Sequence, residues 1–190
     1  EEARAQIETG LRLAAVVGAK RFEPFLEETL ARIEFYQGNW ARASEVAEGA
    51  LGKRYEVGAE SFIGPWVMSA VALTTSDPQR RSAILAEGEE LLAKGCVGHN
   101  YFRFYRNAIQ ACLNAEDWSE AERYAEELAK YTTPEPTPWS DFHIDRARAM
   151  IADGRGQDVG QELDDLRKRA QAAQLLNALP VRSARVVPVS

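Results

Sequence analysis

Hydrophobic residues recur along most of this chain at steps of three and four, and two-residue alternation holds nowhere for a useful length. The pattern predicts an all-α protein with helices over about 2–17, 22–37, 40–54, 60–75, 78–94, 100–115, 118–131, 138–153 and 158–177. Short connections between them make neighbours antiparallel. Two of these helices carry the same face. Trp40, Ala43, Ala47 and Ala50 follow i, i+3, i+7, i+10, and Trp118, Ala121, Ala125 and Leu128 keep that spacing. Asn39 and Asp117 stand just before these faces, where a side-chain oxygen can accept from the unpaired N–H groups of a first turn. Asp117 and Glu120 also have the spacing of a capping box.

The two caps lie 78 positions apart, which leaves room for a unit between them. Midway stands "SDPQRRSAILAEGEELLAKG", with Asp77 as cap, Pro78 at the first helical position and Gly95 as stop. Successive caps are then 38 and 40 residues apart, a period typical of helical repeat arrays. The middle helix departs from its neighbours at Arg81 and Gly88. The partner segments "PFLEETLARIEFYQG", "PWVMSAVALTTS" and "PWSDFHIDRARAMIADG" each open on proline and an aromatic residue, and proline is tolerated in a first turn. Small residues at 43 and 121 let paired helices approach to the near end of the usual ~8–10 Å. The tryptophans are expected to fill the gap where two layers meet. Residues 1–180 read as one helical domain, and 181–190, "VRSARVVPVS", as an irregular tail without periodicity.

Composition narrows the function. With 45% hydrophobic and 27% charged residues in 190, the chain can bury a core and suits a soluble globular domain. Its 23 basic and 29 acidic residues give a net charge of −6, so no nucleic acid is expected as partner. The densest basic run, Arg167-Lys168-Arg169, follows Asp164 and Asp165 and reads as one side of a salt-bridged helix. Cys96 and Cys112 are too few for a disulfide framework and read as reduced thiols of a cytoplasmic protein. The longest apolar stretch, "IGPWVMSAVAL", is too short for a bilayer and contains Gly64 and Pro65, so no membrane partner is expected. The opening "EEARAQIETG", without an initiator Met and already in helical register, suggests a fragment of a longer protein.

The element Gly38-Asn39-Trp40-x-x-Ala43, closing one helix and opening the next, resembles the tetratricopeptide repeat, with longer units here. More specifically, "LARIEFYQGNWARASEVAEGAL" and "GHNYFRFYRNAIQACLNAEDWSEAERYAEELAKYTTPEPTPWSDFHIDRARAM" are similar to the C-terminal helical-repeat region of large bacterial signalling proteins. Those proteins carry a class III adenylate or guanylate cyclase domain, then a nucleotide-binding ATPase domain, then the repeats. The resemblance spans residues 10–180 and implies a right-handed α-α superhelix, a tetratricopeptide-like solenoid of about four helical hairpins. It also implies a role in signal transduction through protein–protein interaction. Paired metal-binding aspartates on strands, which a cyclase needs, are missing from the sequence, and "GAKRF" near residue 18 is no phosphate loop. The chain itself is therefore expected not to be an enzyme, with no catalytic residue, cofactor or metal of its own.

The densest candidate chemistry is "GHNYFRFYRNAI", residues 98–109. His99 or Asn100 would cap a helix whose one face carries Tyr101, Tyr105, Ala108 and Cys112, with Phe102 and Ile109 beside it. Arg103, Asn107, Gln110 and Asn114 form the opposite stripe, bordered by Arg106. His99 lacks the orienting partner that catalysis requires, which favours a structural role. "CVGH" as half of a metal site would need four ligands, and only Cys112 and His143 remain to complete it. His143 follows Trp139 by one helical turn, between Asp141 and Asp145, and Asp145 can pair with Arg146 or Arg148. "TTPEPTP", residues 132–138, fits a stiff connector better than a polyproline ligand.

In tetratricopeptide-like arrays the first helix of each pair lines the concave surface. On that resemblance Arg103, Arg106, Asn107 and Gln110 would face a groove, joined by Trp139 and His143. Guanidinium groups beside amides suit an acidic peptide or another carboxylate; a merely solvated face is the alternative. The expected function is docking of a protein segment, or of the cyclase and ATPase domains of the same parent chain. A small-molecule sensor with a pocket from Tyr101, Tyr105, Trp139 and His143 is the second expectation.

Overall fold

The computed structural model describes residues 2–56, 58 and 60–175. Among them every regular element is helical: α1 Glu2–Val17, α2 Glu23–Tyr36, α3 Trp40–Glu56, α4 Glu60–Thr74, α5 Pro78–Ala93, α6 His99–Asn114, α7 Trp118–Thr132, α8 Pro138–Gly154 and α9 Gly160–Ala172. A single 3-10 turn, Lys20–Phe22, leads into α2. The expected irregular tail, residues 181–190, lies outside the described residues.

The helix ends follow from local chemistry. Asp77 accepts from the backbone N–H groups of Gln79 and Arg80, and Asp117 from that of Glu120. Gly38 and Gly95 take φ of +82° and +94° and stop the helices before them, a conformation open to glycine without strain. Three details differ from expectation. Asn39 does not act as an acceptor: its amide donates to Glu34 Oε2 at 2.7 Å. Glu120 leaves the capping box of Asp117 open because its carboxylate binds Arg123 at 2.8 Å. A capping box that the pattern did not single out, Thr137 with Ser140, opens α8. At the far end α9 stops at Ala172, five residues before the predicted limit of 177. Gln174 turns to φ +55° there, and the Leu175 N–H reaches back to Ala170 O at 2.8 Å.

Proline 65 sits inside α4 and not at its start, so only α2 and α8 open on proline and an aromatic. The helix begins at Glu60, and everything from Ile63 to Thr74 is buried. An apolar, all-round buried helix of this kind is the centre of a core, not a surface element.

Packing divides the chain into two compact units, one ending at Phe104 and one beginning at Tyr105, both positions lying within α6. In the first unit α1 packs on α2, α2 on α3, α3 on α4 and α4 on α5, and α2 also meets α4. The Lys53 ammonium near the end of α3 pairs with Glu27 and Glu23 at the start of α2, which fixes that pair as antiparallel. Arg80 pairs with Glu48 and Arg54 with Glu87, tying α3 to α5 at separations of 32 and 33 residues. In the second unit α7 packs on α8 and α8 on α9. Neighbours in sequence are neighbours in space, as helical repeats require.

The recurring face is interior. Ala43, Ala47, Ala50, Ala121 and Leu128 are wholly buried, Ala125 nearly so, and Trp40 and Trp118 are both half-buried. The departure at Gly88 has a packing reason: a Cβ there would stand 2.3 Å from Cε2 of the wholly buried Phe104. Gly154 likewise accommodates the ring of Trp118, whose Cζ2 would lie 2.5 Å from an added Cβ.

Candidate functional site

The first part of α6 is a joint. Proline in a helix interior has no N–H to offer, and its ring crowds the carbonyl four residues back. Ser61 O accepts instead from Val97 N at 3.3 Å and Asn100 Nδ2 at 3.4 Å. Phe62 O accepts from Asn100 Nδ2 at 2.9 Å and from His99 Nε2 at 2.7 Å. Asn100 Oδ1 in turn accepts from the Trp66 N–H at 3.4 Å. Asn100 is wholly buried and spans the irregular turn around Pro65 from both sides. A carbonyl only accepts, so His99 Nε2 carries the hydrogen. Neither residue caps α6 as the sequence suggested; both fasten it to α4. The His99 ring meets Phe62 at 5.3 Å and Trp66 at 5.7 Å, edge to face. His99 is thus a structural residue.

The polar stripe of α6 is not a solvated face. Asn107 is 1% exposed, and Arg103, Arg106, Gln110 and Asn114 are half-buried. Phe104, which the pattern left on neither face, lies at the centre of the packing. In the second unit Arg106 donates to Asn107 Oδ1 through Nε at 3.2 Å and Nη2 at 2.7 Å, with its guanidinium carbon 6.0 Å from the Trp139 ring centre. Trp139 packs on His143 at 4.4 Å, and Phe142 meets the same imidazole at 5.4 Å. Gln110 donates to Asn114 Oδ1 at 2.7 Å. Arg106, Asn107, Gln110, Trp139 and His143 therefore share the second unit, and the Arg106–Trp139 contact joins α6 to α8. Arg103 belongs to the first unit, where its guanidinium lies over Trp66. Of the aromatics expected in a pocket, the Tyr101 hydroxyl donates to Leu92 O at 2.8 Å, and Tyr105 is buried against Tyr124.

The other candidates resolve into packing and ion pairs. Asp145 pairs with Arg169 at 2.8 Å and with neither Arg146 nor Arg148, because α9 brings Arg169 alongside. Asp164 pairs with Arg167 and Asp165 with Lys168, the salt-bridged helix side foreseen from the sequence. The Lys168 and Gln161 hydrogen bonds hold the Asp165 carboxyl below its ordinary range. Both cysteines are free thiols, Cys112 buried and Cys96 partly so; burial raises the Cys96 thiol, which disfavours the reactive thiolate. Among the described residues no three His, Cys, Asp or Glu side chains gather as metal ligands. No helix among them is long and apolar enough to cross a membrane.

One cluster escaped the sequence reading. Glu28 and Arg32, four apart on α2, look like a surface pair. Instead Glu28 is wholly buried and its Oε1 lies 2.9 Å from Arg32 Nε. Arg103, whose guanidinium carbon lies 5.0 Å from the ring centre of Trp66, interacts with the charges of both. Burial, and then the positive charge of Arg32, hold the Arg103 guanidinium below its usual range, with Glu28 pulling the other way. Phe25 packs edge-on against Trp66 at 4.9 Å.

Comparison of the chain with protein-family models, with curated proteins and with solved structures finds no match.

Proposed function

We propose that this chain is a protein-interaction repeat module without chemistry of its own, which docks an acidic protein segment along α6 and α8. The observation that carries the reading is the cluster of the buried Asn107 with the half-buried Arg106, Gln110, Trp139 and His143, which combines a cation, amides and a ring face. A guanidinium backed by an indole and held by an amide is pre-oriented, which lowers the entropy lost on gripping a carboxylate. In a tetratricopeptide-like array α6 and α8 are first helices of successive pairs, the ones that line the groove. The occupant on this reading is a segment of the cyclase or ATPase domains of a bacterial, cytoplasmic parent protein in signal transduction.

Cross-linking within the full-length gene product, paired with deletion of this region, tests the proposal. Links from α6 and α8 to upstream domains, with altered nucleotide-cyclase activity on deletion, are expected. Absence of links together with unchanged activity refutes it. The tight Trp139–His143 pair at 4.4 Å also suits a second reading, an aromatic effector bound beside it. A ligand-dependent rise in melting temperature that Trp139→Ala and His143→Ala abolish supports that reading over peptide docking.

A further inference from the structure

We infer that α2, α4 and α6 of the first unit build a separate binding site for a single carboxylate, formed by Arg32, Arg103 and Trp66. Three observations converge on it. Arg103 has no carboxylate partner among the described residues; its one contact is the face of Trp66 at 5.0 Å. Arg32 Nε lies 2.9 Å from Glu28 Oε1 without completing a hydrogen bond, and the guanidinium donates no hydrogen bond to any described residue. Trp66 is 4% exposed, and its buried Nε1–H meets no acceptor among the described residues. Buried donors are nearly always satisfied, and a partly desolvated guanidinium beside a second one is unfavourable without an anion.

Charge decides the ligand class. Two guanidiniums and one buried Glu28 carboxylate leave a net charge of one positive unit, which a single carboxylate neutralises and a phosphate dianion exceeds. The planar forks of Arg32 and Arg103 suit a flat carboxylate, and Phe25 and Trp66 offer an apolar wall for the carbon that bears it. The site does not depend on the docking reading, since all its residues belong to the first unit.

The test follows the indole N–H resonance of Trp66 by NMR, assigned with Trp66→Phe, at fixed ionic strength balanced with sodium chloride. The probes are propionate, the capped tripeptide acetyl-Ala-Glu-Ala-amide and inorganic phosphate. A saturable shift with either carboxylate is expected, and the tighter of the two tells a free acid from an acidic side chain. Arg103→Gln should weaken that binding about tenfold or more, the loss of one charge-assisted contact. Arg103→Lys keeps the charge without the fork and should also weaken it, which serves if the glutamine variant does not fold. A shift that never saturates, a preference for phosphate, or wild-type affinity in the folded Arg103 variant overturns the inference.

Discussion

At Gly88 the missing side chain is a requirement of packing. The Phe104 ring occupies the space of a Cβ, with Cε2 at 2.3 Å, and Phe104 is enclosed on all sides. Gly88→Ala should gain helix propensity yet lose on the order of 1–3 kcal/mol to overpacking, read from the urea midpoint at unchanged slope. Asn100 presents the opposite case, a polar group in the core that nothing apolar can replace. Asn100→Ala leaves the Trp66 N–H without its side-chain acceptor, at about 1–3 kcal/mol for a buried group left unsatisfied, and leaves Phe62 O to His99 alone among these side chains. Because Pro65 creates that need, Pro65→Ala and Asn100→Ala should be non-additive in a double-mutant cycle. The alanine–tryptophan face was legible in the sequence, since a helical period depends only on residue types along one chain segment. The roles of His99 and Asn100 were not, because their partners are backbone carbonyls 37 and 38 residues away. Glu28 and Arg32 went unremarked for a related reason: their spacing is the same whether that side of α2 meets water or other helices.

The helices themselves were almost wholly foreseen, and the exceptions are instructive. Periodicity places the body of a helix, while its ends depend on which acceptor an exposed N–H finds. Asp77 and Asp117 advertise that acceptor, whereas Thr137 hides within the Pro-rich run before α8. The end of α9 has no glycine to announce it, and Gln174 supplies the left-handed turn. Between elements, Lys53 clasps α3 to α2. Burial draws its ammonium down, yet the hydrogen bonds and charges of Glu27 and Glu23 outweigh this and leave it raised. A raised lysine contributes stability that is complete below its unfolded value of about 10.4 and lost as pH climbs through the folded one. Thermal melts above that value should therefore fall less steeply for Lys53→Met than for the parent chain, while the variant is the less stable near neutrality.

For the whole molecule, stability is assembled from contacts between helices close in sequence, in two units that each have a core. In such an arrangement a local injury stays local. Hydrogen exchange in Gly88→Ala should quicken in α4 and α5 and leave α8 and α9 near the parent rates. The proposed docking uses the same elements. Although acidic residues exceed basic ones by six, arginines are held against aromatic rings in each unit, Arg103 on Trp66 and Arg106 on Trp139. Arg106, Asn107, Gln110, Trp139 and His143 were named from the sequence on the tetratricopeptide-like resemblance, which sets the first helix of each pair along a groove. The central claim is that α6 and α8 receive an acidic segment, and a photoreactive residue replacing Gln110 in the full-length gene product tests it most directly. Light should capture a defined acidic stretch from position 110 and not from the exposed control position 126 on α7. Equal labelling at the two positions, or capture of no acidic stretch at all, contradicts it.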